Sequence, residues 1–399
     1  MAVALAAALA LAACGGAAAL APSSPAASTK PPASAPASAP ANPASASAPT
    51  ASAKPAASAS APAASGSAPA APAKPAPSGA LKHLKVGTLP TIGNAPFIIA
   101  TNKGYFREEG LEIELVPFSA GSETVPALGA GQIDAANSVT PSAGLMNAVI
   151  RGLPIKIVAD DGDIRQGRNI ANILIRKDAQ PTAGQFADLA SLKKPIRAAA
   201  TATDLVPDAV IKLQLQKAGI SLADAQFNYL GLPDINVAFK NGNLDLAASG
   251  EPLITIAVQQ GLAVRWKPMA ELVPGMPYSN LMYGPNLRDK DKDAGDRLMR
   301  GFLRGVRDYE DAATKNKDRD AIVGMLNDPL KIPKELFDAM QQQGGLAYLD
   351  PNGAVGMDAL QPIVDFWIQS KAVQAPSFDV KTLVDASFAE AAVQKLGKY

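Results

Sequence analysis

Cysteine and histidine are almost missing from this chain of 399 residues, which holds one of each, Cys14 and His83. A single thiol cannot close a disulfide within the chain, and one thiol with one imidazole cannot build a Cys- or His-rich zinc site. Ser-His-Asp or Cys-His catalysis would have to pass through His83, which lies near a domain start and reads as a solvated linker residue. No metal or cofactor is expected. Acidic residues are absent from the first 80 positions, where only Lys30, Lys54 and Lys74 carry charge. The other 319 residues hold 34 basic and 36 acidic side chains. That balance lacks the basic face of a nucleic-acid binder, and the length suits two lobes better than one core.

The chain begins "MAVALAAALALAAC". This run is shorter than the ~20 residues a membrane span takes and reads as the apolar region of a secretory signal. Its end, Leu11-Ala12-Ala13-Cys14, resembles the bacterial lipobox, in which cleavage precedes the cysteine and the thiol is acylated. A basic residue ahead of the apolar run is missing. Residues 15–80 are mostly Ala, Pro and Ser, with no aromatic residue and no acid. Such a composition cannot bury enough apolar surface to offset chain entropy, so a disordered tether with a full reach of roughly 200 Å is expected. The expected organisation is a lipoprotein signal peptide over 1–14, the tether over 15–80, lobe 1 from 81–179 with 272–399, and lobe 2 from 180–271.

From Leu84 onward, strand and helix patterns alternate. "LKVGTLP" and "LEIELVPF" alternate as strands, Pro96 opens a helix that Gly104 ends, and "PSAGLMNAVIRG" and "TDLVPDAVIKLQLQKAG" read as helices. The α/β class follows, with a mostly parallel sheet flanked by helices in each lobe. One unit occurs twice: "GAGQIDAANS" over 129–138 and "KNGNLDLAASGEP" over 240–252. Each reads as a helix end, a glycine, then a strand whose carboxyl end meets the next helix. Ligands in open α/β sheets sit at such strand ends, so each lobe contributes one wall of a cleft. Asp134 and Asp245 precede the cleft end and read as strand-edge residues. The C-terminal third reads as helices that wrap the first lobe, with Trp367 in the core.

The segments "VGTLPTIGNAPFIIATNKGYFREEGLEIELVPF", "LGAGQIDAANS", "RGLPIKIVA", "IRKD" and "GNLDLAASGEP" together resemble the periplasmic solute-binding proteins of ABC transporters. The subgroup is the one that includes nitrate, sulfonate, taurine and thiamine-precursor binders. The resemblance implies a two-lobed periplasmic-binding-protein fold of type II with the ligand between the lobes. It implies one wall from Thr91, Ile92, Gly93, Asn94 and Phe97, another from Gly121, Ser122 and Glu123, and a floor from Asn137 and Ser138. Thr201, Ala202, Thr203 and Glu251 would face them from lobe 2, with Tyr278 near the return hinge. Glu251 could meet a cationic ligand group or hold a hinge. Arg165 and Arg168 read as solvated loop charges.

The implied role is a monomeric, non-enzymatic, extracytoplasmic lipoprotein. It would capture a small organic solute or anion (sulfonate-, nitrate-, aromatic carboxylate- or thiamine-precursor-like) for an ABC permease and ATPase. A ligand sensor signalling to a partner protein is the alternative, and a metal-free carboxylate enzyme on the same fold a more distant one.

Overall fold

The computed structural model describes residues 79–119, 121–179 and 189–399. The expected signal peptide, Cys14, nearly all of the tether and the expected start of lobe 2 lie outside the described residues. The first half runs β1 (Lys82–Thr88), α1 (Ala95–Asn102), α2 (Tyr105–Glu108), β2 (Leu111–Pro117), α3 (Gly121–Gly129), β3 (Ala135–Val139), α4 (Ala143–Ile150) and β4 (Lys156–Asp163). Then come β5 (Ala171–Arg176), β6 (Ile196–Ala200), α5 (Val206–Lys217), β7 (Ala225–Tyr229), α6 (Leu232–Lys240), β8 (Leu246–Gly250), α7 (Leu253–Gln259), β9 (Ala263–Pro268) and α8 (Met269–Leu272). β10 (Pro277–Tyr283) precedes α9 (Lys292–Lys315), α10 (Arg319–Leu330), α11 (Lys334–Gln342), α12 (Gln361–Gln369) and α13 (Ser387–Leu396).

Two five-stranded sheets result, ordered β2-β1-β3-β10-β4 and β7-β6-β8-β5-β9. The orders are the same pattern used twice. β1 runs parallel to β2 and β3, and β6 parallel to β7 and β8. In each sheet one strand opposes the rest: β10 is antiparallel to β3 and β4, and β5 to β8 and β9. The sheets are therefore mixed, although four strands of each share a direction. Those two opposed strands are the ones the chain lays down after crossing between sheets. Because β5 pairs in the second sheet, the chain leaves the first sheet after Asp163, earlier than the expected end of the first segment of lobe 1 at residue 179.

The repeated unit does the same local work in both lobes. Gly131 and Gly242, at φ 70° and 68°, take the left-handed turn that a Cβ would strain. Asp134 and Asp245 then bracket a neighbouring strand. Asp134 accepts from the Lys85 backbone N–H at 2.8 Å and Asp245 from that of Arg197 at 3.0 Å. Both are strand-edge residues, as expected. The strands that follow, β3 and β8, are buried along their whole length. Helices cover both faces, and the small residues of "AANSV" and "LAASG" let them approach.

Two crossovers join the lobes, over 164–170 and 269–276. They are bonded to each other: Ile164 N–H donates to Met276 O at 2.9 Å, and Gly275 N–H to Ile164 O at 3.0 Å. The segment after α11 lies along the first crossover. Asp163 N–H donates to Tyr348 O at 3.0 Å and Asn169 N–H to Gly344 O at 2.6 Å. The C-terminal helices depart from expectation in the same way. α9 and α13 pack on the first lobe, but α11 touches α7 and α12 touches α5, both helices of the second lobe. Trp367 is fully buried.

Close helix packing sets one test. A Cβ at Gly305, on α9, would overlap the Pro96 carbonyl oxygen of α1. Backbone cannot yield as a flexible side chain can. Gly305→Ala is expected to destabilise the protein by roughly 1–3 kcal/mol, read as a lowered urea midpoint.

Candidate functional site

The carboxyl ends of the two sheets face each other, and the lobes touch there. Ala143 N–H, at the start of α4, donates to Asp204 O just before α5 at 3.0 Å, and Ser142 pairs with Leu205. Beside this contact lies a cavity of about 60 Å³. Leu89, Thr91, Ser119, Gly121, Ser138, Thr140, Tyr278 and Ser279 line it from the first lobe. Thr201, Leu205, Leu232, Gly250 and Glu251 line it from the second, with Ile170 from the crossover. No Lys, Arg or His is among these residues.

Of the expected site residues, the structure brings Thr91, Gly121, Ser138, Thr201, Glu251 and Tyr278 to this cavity. It gives several others different work. Ile92 and Phe97 are core residues, Phe97 packing between Phe106 and Phe302 at centroid distances of 5.6 and 5.2 Å. Asn94 is buried at the start of α1. Asn137 is fully buried beneath the cavity, where its Nδ2 donates to Gly93 O at 3.1 Å. Gly93 packs on three polar groups: a Cβ there would lie 2.8 Å from Ser138 Oγ and 3.1 Å from Asp161 Oδ2 and from Ser279 Oγ. Glu123 accepts from Ser119 N–H at 3.1 Å, four residues ahead of it. Ser122 lines a separate open groove of about 600 Å³ between α3 and α4. Ala202 and Thr203 are not among the cavity's lining residues, and Thr203 is exposed.

Glu251 is buried to 1% exposure and both its oxygens are occupied. Oε1 accepts from Arg265 Nη2 at 2.7 Å and Thr255 Oγ1 at 3.1 Å, while Oε2 accepts from Thr255 N–H at 3.0 Å. It holds the first turn of α7 and one arginine. Arg165 and Arg168 stay away from the cleft but are not simply solvated. Arg165 stacks on the Tyr348 ring at 3.7 Å, and Arg168 is bound to the buried Glu310. His83 is exposed within β1, 3.5 Å from Glu114.

Neither Ser279 nor Asp161 is among the expected site residues, yet Ser279 lines the cavity beside Ser138 and Asp161 is bonded to both. Asp161 is fully buried. Its Oδ2 accepts from Ser279 Oγ at 2.9 Å, Ser138 N–H at 3.1 Å and Ser138 Oγ at 3.3 Å. Ser138 reaches it from a left-handed conformation, φ 61°, uncommon for serine and a mark of constraint at a functional place. The run of acids in "VADDGDIR" was the available signal, because three carboxylates in one buried strand have no packing reason.

Burial pushes the Asp161 carboxyl well above the usual carboxylate range, against the bonds from Ser279 and Ser138. The folded protein therefore keeps this proton to higher pH than the unfolded chain does. As pH rises past about 4, the unfolded state releases its proton first, and stability drains away until the folded group also ionises. Asp161→Asn does not titrate. The expected outcome is that the variant gains stability relative to wild type as pH rises from 4 to 7. Urea midpoints that run parallel over that range would remove the assignment.

Comparison with known proteins decides the family. The profile of the NMT1-like family matches residues 78–324. The chain belongs to the NMT1-like family. Its fold is that of periplasmic binding proteins. The nitrate-binding protein NrtA from Synechocystis is 16% identical with a TM-score of 0.64, and the match covers 79% of this chain and 89% of that one. The aliphatic sulphonate-binding protein SsuA from Escherichia coli is 20% identical with a TM-score of 0.58, covering 76% and 92%. A curated relative, the nitrate import ATP-binding protein NrtC of Synechococcus elongatus, is 26% identical over 220 residues, or 51% of this chain. The chain spans about a third, 33%, of that relative's length.

Proposed function

We propose that this NMT1-like protein is the extracytoplasmic substrate-binding component of an ABC importer. It captures a small solute between its lobes and presents the closed form to a permease and its ATPase. One observation carries the reading: equivalent strand ends of two like sheets enclose a cavity at the point where the lobes touch, beside paired crossovers. A ligand that contacts both walls favours closure by its differential affinity for that state. The relatives named for nitrate and sulphonate binding support the same role. The polar lining groups are hydroxyls and one carboxylate already engaged by a helix and an arginine, an inventory for holding a solute and not for acid–base turnover.

The test is thermal unfolding of the full chain with a panel of small solutes. A binding solute at a hundred times its Kd adds about 2.7 kcal/mol, a shift of several degrees. A panel that spans oxyanions, amides, amines and amino acids yet shifts nothing would count against the receptor reading.

Attachment to a membrane through lipidated Cys14 belongs to the same proposal, supported by the lipobox-like sequence ahead of the Ala/Pro/Ser segment. Among the described residues no helix is long and apolar enough to cross a membrane. Cys14→Ser is expected to move the protein from the membrane to the soluble fraction of cells that process lipoproteins. Membrane retention of the variant would refute the anchor.

A further inference from the structure

We infer that the cleft selects solutes that donate hydrogen bonds, through N–H or O–H groups, to Thr91 and Ser279, and turns away oxyanions that can only accept. Asp161 is the positioning residue that sets this polarity. The inference rests on the receptor reading and narrows its ligand class.

The direction of each bond follows from a fixed donor. Ser138 N–H can only donate, and it lies 3.1 Å from Asp161 Oδ2. Oδ2 is therefore an acceptor when the carboxyl is ionised, and equally when its proton sits on Oδ1, the oxygen left without a partner among the described residues. Ser279 Oγ and Ser138 Oγ, at 2.9 and 3.3 Å from the same oxygen, must then turn their protons inward to it. Thr91 Oγ1 lies 3.3 Å from Ser138 Oγ. The Ser138 proton is already committed to Asp161, so Thr91 donates in that pair. Asn137 Nδ2, at 3.4 Å, fills the remaining side of Ser138 Oγ. Ser279 and Thr91 both line the cavity, and with their protons used they offer it only lone pairs.

The side chains of the rest of the wall do not reverse this. Leu89, Ile170, Leu205 and Leu232 are apolar, the lining has no cationic side chain, and both Glu251 oxygens are occupied. Ser119, Thr140, Thr201 and Tyr278 carry hydroxyls that can turn toward a donor or an acceptor, so they do not discriminate. Nitrate or a sulfonate on this floor would set oxygen against oxygen at Thr91 and Ser279. A urea-, amide- or ammonium-like group would find two acceptors in place.

Isothermal titration and thermal unfolding of the full chain test this with nitrate and ethanesulfonate against urea, acetamide, guanidinium and glycine. Only compounds with N–H groups should bind. Ser279→Ala and Thr91→Val should each weaken the bound compound at least about tenfold. Thr91→Val should leave the unfolding midpoint of the free protein close to wild type, whereas Ser279→Ala also withdraws a bond from Asp161 and should lower it. Asp161→Asn keeps an oxygen opposite the Ser138 N–H, so it should keep the preference for donors despite having no charge. Binding of nitrate or ethanesulfonate to wild type would overturn the inference and leave the receptor reading standing. Nitrate binding gained by Asp161→Asn would show that charge, not hydroxyl direction, excludes anions, and would also overturn it. Silence from every compound would count against the receptor reading, and the inference would fall with it.

Discussion

Glu251→Ala is expected to cost the fold about 3–5 kcal/mol, the range for removing one partner of a buried ion pair. The residue ends β8 at the cavity wall, where a ligand contact is the natural reading of a carboxylate. Its surroundings assign it to the scaffold. The side chain is sealed from solvent, and Arg265 sits 2.7 Å from Oε1. Arg265 has further bonds, to Thr255 Oγ1 at 3.0 Å and to Gln343 in the segment that lies along the crossover. Gly345 of that segment presses on the carboxylate, with a Cβ position 2.6 Å from Oε1. Burial pushes the carboxyl upward, while the charge of Arg265 and the Thr255 N–H pull it back. A negative group at the first turn of α7 also complements the helix dipole. Alanine would strand the arginine, uncap the helix and open a void together. Glu251→Gln retains an acceptor for Thr255 and should cost visibly less. The discriminating measurement is urea unfolding of both variants without ligand. A ligand-only role predicts wild-type midpoints with weakened binding.

The repeated Gly-x-[Ile/Leu]-Asp unit was legible because its physics is local. A left-handed glycine, a strand-edge aspartate and a run of small residues each leave a mark within ten positions. The same holds for β1, β2 and most helices, whose alternation or three-to-four spacing follows one buried face. β5 and β10 left no such mark. "ANILIR" and "PYSNLMY" are buried along nearly their whole length, so no alternation remains to be read, and their partners are distant in sequence. The sequence pattern therefore carries the first lobe on to residue 179, past the crossing that follows Asp163. The site divided similarly. Ser138 follows from the rule that strand ends face the cleft, and Thr91 and Thr201 come with the family resemblance. Asp161 and Ser279 come from β4 and the opposed strand β10, and only the register between those strands brings them together. Phe97 and Ile92 are fully buried instead, because position near a helix start does not say which face is turned to the core.

Arg168→Met is expected to destabilise the protein by about 3–5 kcal/mol, although the residue lies in a loop that reads as solvated. Its guanidinium grips Glu310 with both arms, at 2.9 Å to Oε1 and 3.2 Å to Oε2. It also donates to the carbonyls of Leu346, at 3.3 Å, and Ala347. One side chain on the first crossover thus ties together α9 and the segment that follows α11. Glu310 is 4% exposed and takes a further bond from Leu349 N–H at 3.0 Å. Burial pushes its carboxyl upward, and the Arg168 charge is the largest influence holding it down. Methionine would leave that carboxylate buried without its cation. Glu310→Gln in the same chain removes the stranded charge and keeps an acceptor for Leu349, so the double variant should recover most of the loss. The shortfall that remains measures the tie to Leu346 and Ala347. Additive costs in the double-mutant cycle would mean that the pair is not coupled. Recovery would locate the stability of the crossover in this one buried pair. Hydrogen exchange should then be faster in Arg168→Met at the amides of Asp163 and Asn169, which lean on the same C-terminal segment.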